Sequence, residues 1–129
     1  MNRHKPEGYP SISPYMIVEN GEETLRFVER VFGGERLRCF PDEDGKFYHA
    51  EIRVGETVIM LADGGNGWGP APSYLHMYVE DVDAVFDSAV AAGAEPLQRP
   101  EKKDDADKRG GFKAPGGITW WVATQIDQD

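Results

Sequence analysis

The sequence predicts an α+β fold: two βαβββ modules forming a curved, cup-like mixed sheet with helices on the outer face. Three observations predict it. The chain repeats itself weakly: P-Y-M-I-V-E at 14–19 resembles L-H-M-Y-V-E at 75–80, and G-G-E-R-L-R at 33–38 resembles G-A-E-P-L-Q at 93–98. The offsets are 61 residues at Val18/Val79 and 60 at Gly33/Gly93, as expected for two copies of one supersecondary unit. Within each copy an alternating run gives way to a helix-period stripe and then to three further strand-like runs. The length of 129 residues and a 40% hydrophobic content suffice for one domain with a core.

Residues 1–9 carry no apolar stretch and read as a flexible N-terminal tail, not a signal peptide. Residues 10–126 read as one domain, with a first module at 10–63, a linker at 64–72 and a second module at 73–126. The first strand spans about 13–19. Asn20 then caps a helix, with Glu23 as its capping-box partner. Leu25, Val28, Val31 and Phe32 recur on one helical stripe, and Gly33 supplies the left-handed stop. Strands follow near 35–40, 46–54 and 57–63, joined by D-E-D-G at 42–45 and V-G-E at 54–56. The second module repeats the plan. Its strand near 74–80 leads to the Asp81 cap and the stripe Val82, Val85, Phe86, Ala89 and Val90, with Gly93 as the stop. Strands near 95–99, 109–114 and 118–124 complete it, the last two joined by A-P-G-G at 114–117.

Alternation sorts the faces, because side chains along a strand point in turn to opposite sides. Pro14, Met16 and Val18 oppose Ser13, Tyr15 and Ile17. Ala50, Ile52 and Val54 oppose His49, Glu51 and Arg53. Leu75, Met77 and Val79 oppose Tyr74, His76 and Tyr78. The apolar sets should carry the helices. The opposite faces, rich in Tyr, His, Glu, Arg and Met, suit a ligand pocket. The adjacent tryptophans divide the same way: Trp120 and Val122 join the core, and Trp121 looks into the concave face, as a platform for a flat ligand or as filler.

The net charge of −9 argues against a nucleic-acid partner, which clustered Lys and Arg would have to serve. No apolar run approaches the ~20 residues of a membrane span, so no membrane partner is expected. Cys39 is the sole cysteine, which excludes an intramolecular disulfide and a cysteine zinc cluster and fits a cytoplasmic protein. E-K-K-D-D-A-D-K-R at 101–109 has mixed signs and reads as a solvated loop. Lys108-Arg109-Gly110-Gly111 reads as a basic turn, with Arg109 close enough to touch a ligand or a partner chain.

H-A-E-I-R-V-G-E-T-V-I-M-L-A-D at 49–63, L-H-M-Y-V-E-D-V-D-A-V-F at 75–86 and D-K-R-G-G-F-K-A-P-G-G-I-T-W-W-V-A-T at 107–124 resemble the vicinal oxygen chelate superfamily, in its PhnB-like glyoxalase/bleomycin-resistance/dioxygenase branch. The resemblance implies a homodimer sharing its pockets. It also implies four metal-ligand positions, which an alignment through Val18 and Val79 sets at Ser13, Met60, Tyr74 and Trp121. None of these is a good ligand, so no cofactor or metal is expected. A slip of two residues would instead bring forward His49, Glu51 and His76, a donor set that a divalent metal accepts. His49 and Glu51 also read as neighbours bonded to each other or to Arg53.

Three functions compete. One is a metal-free pocket for a flat or amphipathic organic molecule, lined by Tyr15, Met60, Trp68, Tyr74, Tyr78 and Trp121 with His49, Glu51, His76 and Arg109 as polar anchors. The second is a metal-dependent lyase or dioxygenase of the glyoxalase type. The third is a metal-free lyase, isomerase or transferase using His49 or His76 as a base.

Overall fold

A computed structural model of the chain describes residues 4–65 and 67–128. Residues 1–3 of the expected tail and Asn66 of the linker lie outside the described residues. The elements run β1 (Tyr15–Val18), α1 (Gly21–Phe32), β2 (Glu35–Pro41), β3 (Phe47–Val54), β4 (Thr57–Asp63), β5 (Ser73–Tyr78), α2 (Val82–Ala91), β6 (Glu95–Lys102), β7 (Asp107–Ala114) and β8 (Ile118–Gln125). Two βαβββ modules are thus present. Each closes into its own four-stranded sheet, in the orders β1-β4-β3-β2 and β5-β8-β7-β6. The first strand of each module lies parallel to the last, as a crossover through a helix requires, and the other pairs are antiparallel.

The helix signals act as their chemistry dictates. The Asn20 side chain accepts from the Glu23 backbone N–H at 3.1 Å, and Asp81 accepts from Ala84 at 3.1 Å. Gly33 takes φ 67° and, with Gly34, returns N–H groups to Glu29 and Val28. Leu25 and Val28 are buried as the stripe predicts, but so are Thr24 and Phe27, which lie off it. The second module buries them. Phe27 sits 6.1 Å from Phe112 of β7, and Phe32 lies 4.4 Å from Trp120 of β8. The apolar faces of the two modules therefore share one core, with α1 and α2 in contact inside it. Val90, read as the end of the second stripe, is instead exposed, because α2 stops at Ala91 before another turn can bury it.

Two strand assignments change. Lys108-Arg109-Gly110-Gly111 is not a turn: β7 begins at Asp107 and pairs residue by residue with β8. The 101–109 loop shrinks to 103–106, since β6 continues to Lys102. Mixed charge on β6 suits its place at the sheet edge, and on β7 it lies on a strand paired on both sides, so neither marks the absence of a ladder.

Candidate functional site

The first sheet's polar face carries a chain of hydrogen bonds. In the sheet register Tyr15 of β1 stands beside Met60 of β4, and Met60 beside Glu51 of β3. Glu51 is 1% exposed, although its neighbours in the strand are apolar. A buried carboxylate needs donors. Tyr9 donates its hydroxyl to Oε1, and His49 Nε2 lies 2.7 Å from Oε2. Arg38, within a register shift of β2 between Arg36 and Cys39, adds its backbone N–H. Burial alone would raise the carboxyl, but these bonds outweigh it and hold Glu51 below the usual carboxylate range. The Glu51 bond in turn raises the Tyr9 phenol. The Tyr15 hydroxyl reaches the other imidazole nitrogen, Nδ1, at 3.5 Å. Tyr15 and Phe40 flank the His49 ring, with centroids 5.8 and 6.0 Å away.

Tyr9 belongs to the segment read as a flexible tail. Gly8 accepts from Arg53 at 3.0 Å, and the Arg38 guanidinium lies 5.3 Å over the Tyr9 ring. Tyr48 was also missed by alternation. Pairing slips between Phe40↔His49 and Pro41↔Phe47, so Tyr48 is an extra residue in a bulge, free to join the polar face. It lines a cavity of about 490 Å³ with Tyr15, Ile17, Ala62 and Trp68. Trp68 is held there by paired backbone bonds between Gly65 and Trp68.

The second sheet's polar face is built from different chemistry. Here the register sets His76 of β5 beside Trp121 of β8, and Trp121 beside Gly111 of β7. Arg109 is the hub. It donates to His76 Nε2 at 3.1 Å, to Asp105 at 2.9 Å and to Asp107 at 2.8 Å, and Tyr78 donates to Asp107 at 2.7 Å. Burial first, then the Arg109 charge, push His76 below the usual imidazole value. Tyr78 is raised by its bond to Asp107. Asp105 and Asp107 were folded into the presumed loop; the i, i+2 spacing of Asp107, Arg109 and Gly111 was the available signal. Tyr74 pairs with Thr119 at the start of β5 and stands largely in water. A cavity of about 310 Å³ beside Trp121 is lined by Gln98, Asp105, Asp107 and Arg109, all from the second module.

The profile of the glyoxalase/bleomycin resistance protein/dioxygenase superfamily matches residues 11–122. The chain belongs to this superfamily, the vicinal oxygen chelate group. An uncharacterised Mycobacterium bovis protein is 31% identical over 128 aligned residues, covering 91% of this chain and 84% of that protein. Two solved structures share the superfamily fold. TioX from Micromonospora sp. ML1 has a TM-score of 0.77 at 21% identity, covering 91% of this chain and 99% of that one. A PhnB protein from Bacillus cereus has a TM-score of 0.72 at 19% identity, covering 89% and 99%.

In the sheet ladders Met60 stands beside Tyr15, with Ser13 preceding β1, and Trp121 stands beside His76, two residues along β5 from Tyr74. The ladder rows Tyr15/Met60 and His76/Trp121 offer one imidazole and no carboxylate. His49 and Glu51 lie on the first sheet and His76 on the second. Among the described residues no three His, Cys, Asp or Glu side chains converge as a metal site. Within one chain, the described residues bring no such donor set together.

Proposed function

We propose that the protein binds a flat or amphipathic organic molecule on its aromatic sheet faces, as a homodimer and without a metal. One observation carries the reading. Around the cavity of about 490 Å³, Tyr15, Tyr48 and Trp68 are 52%, 65% and 71% exposed. Large aromatic surfaces gathered around one concavity are costly in water and suited to a planar ligand.

The dimer follows from the arrangement of the faces. Because both apolar faces turn to one core, the polar faces lie outward on different sides of the chain. A second copy would set the first-module face of one protomer against the second-module face of the other, so that Tyr15, His49 and Trp68 meet the partner subunit's His76, Arg109 and Trp121. Membership of a small-molecule-binding superfamily supports this reading.

Quenching of tryptophan emission by anilinonaphthalene sulfonate, with sedimentation on the same samples, tests both parts. We expect saturable quenching that Trp121→Ala weakens by about 1–3 kcal/mol, the scale of losing a large contact side chain. We also expect a dimer at micromolar concentration. A monomer, or a stoichiometric metal in protein purified without chelators, would overturn the corresponding part.

A further inference from the structure

We propose that Tyr15, His49 and Glu51 form a proton-transfer site that removes a weakly acidic C–H proton from a flat molecule held beside Tyr48 and Trp68. This inference rests on the ligand-binding reading, since the same aromatic face holds the substrate. It goes further by assigning an activity to that face, of the lyase or isomerase class.

The two imidazoles on the polar faces are not equivalent. His76 Nε2 accepts from the Arg109 guanidinium, so its lone pair is occupied and its remaining nitrogen carries the hydrogen. That ring is a donor beside a fixed cation and is a poor base. His49 is arranged the opposite way. Its Nε2 faces an ionised carboxylate at 2.7 Å, so Nε2 carries the hydrogen and Nδ1 keeps the lone pair. Nδ1 points toward the Tyr15 hydroxyl at 3.5 Å, a loose contact of the kind that tightens when a ligand closes the site. The order is hydroxyl, imidazole, buried carboxylate. It is the order in which a base is oriented by one neighbour and presents its lone pair to another.

Glu51 supports this in a way that a surface ion pair would not. It is 1% exposed and keeps its charge through bonds from Tyr9, His49 and Arg38. A charge so held is available to stabilise an imidazolium the moment one forms, with no reorganisation of water. Tyr15 is half exposed and shares the cavity with Tyr48 and Trp68, so its hydroxyl is the point at which this buried chain meets a ligand. A pair serving only to hold β3 together has no need of that hydroxyl.

The proton count closes. The substrate C–H proton passes to the Tyr15 oxygen as the Tyr15 hydrogen passes to His49 Nδ1. The carbon keeps the electron pair of the broken bond. His49 becomes an imidazolium facing the Glu51 carboxylate, and nothing is oxidised or reduced. Protonation of the product elsewhere, or loss of a leaving group, discharges the carbanion, and the imidazolium returns its proton to water or product. Tyr9 touches no substrate and is a positioning residue.

Nitrobenzisoxazole is a suitable probe. It is flat and uncharged, and loss of its ring C–H proton with cleavage of the N–O bond yields a coloured cyanonitrophenolate. The wild-type protein should turn it over with saturation. His49→Gln should lower turnover on the order of a hundredfold, the contribution of one positioned base. Tyr15→Phe should lose at least tenfold with unchanged melting behaviour, which separates a lost relay from a lost fold. His4→Gln, a change to an exposed histidine outside both faces, should leave the rate alone. Tryptophan quenching by the probe without turnover, or full turnover in His49→Gln or Tyr15→Phe, overturns the proton-transfer site and leaves the binding reading intact. Absence of both quenching and turnover overturns the two together.

Discussion

Trp121 lies flat against Gly111 across the β7–β8 ladder, so close that a side chain on Gly111 would collide with the six-membered part of the indole. In the first module the matching row places Glu51 beside Met60, so the indole of the second module fills the space that a carboxylate side chain occupies in the first. Gly111→Ala should therefore push Trp121 outward. We expect a loss of about 1–3 kcal/mol in urea unfolding, the cost of overpacking, together with a shifted tryptophan emission. An unchanged midpoint and spectrum would show that the ring is not seated there.

Acid should weaken the fold through Glu51. Its folded carboxyl is held below the ordinary range despite burial, so its contribution is complete above the unfolded carboxylate value and is lost as pH falls through the folded one. Glu22, lowered to about 2 by Arg36, adds to the loss in the same direction. Glu51→Gln should flatten the fall in unfolding free energy below neutral pH while leaving the Glu22 part. Denaturant titrations across the acid range read the difference directly.

Arg36 binds two glutamates of α1 from β2, with bonds of 2.9 Å to Glu22 and 3.0 Å to Glu29. The pairs are partly exposed, so their worth is modest. Arg36→Met should cost about 1 kcal/mol or less at low salt, and added salt should shrink the difference. A loss that does not respond to salt would mean that packing of the side-chain stem matters more than its charge.

His76 and Arg109 are coupled electrostatically. Burial and the guanidinium both depress the imidazole, whereas Asp107 and Asp105 act to raise it. Arg109→Ala removes one depressing influence and leaves both carboxylates in place. The His76 titration followed by imidazole NMR should move to higher pH. A shift to lower pH, or none, would show that the guanidinium does not hold that bond in solution.

Much of the architecture was legible because it is encoded over short distances. The two modules, the Asn20 and Asp81 caps and the Gly33 stop follow from periodicities and hydrogen-bond needs within one turn or one strand. So does the division of Trp120 and Trp121 between faces, since neighbouring strand residues cannot share one. The polar faces carrying Tyr15, His49 and Glu51, and His76 and Tyr78, were legible for the same reason, whereas Arg109, read as part of a turn, was not.

Other features depend on partners remote in sequence. Alternation cannot reveal that a bulge re-aims Tyr48, because the extra residue is defined only by what pairs opposite it. A stripe on α1 cannot mark Phe27 as buried, because its cover, Phe112, comes from the other module. Aligning the modules by their helix starts says nothing of which residues stand side by side, whereas the hydrogen-bond ladders set Tyr15 beside Met60 and His76 beside Trp121. Nor does any local pattern bring Tyr9 onto Glu51: that contact exists because a buried carboxylate demands donors, and the nearest available hydroxyl arrives from 42 residues away. Faces are thus set by local period, whereas register, bulges and the satisfaction of buried charge are set by the folded whole.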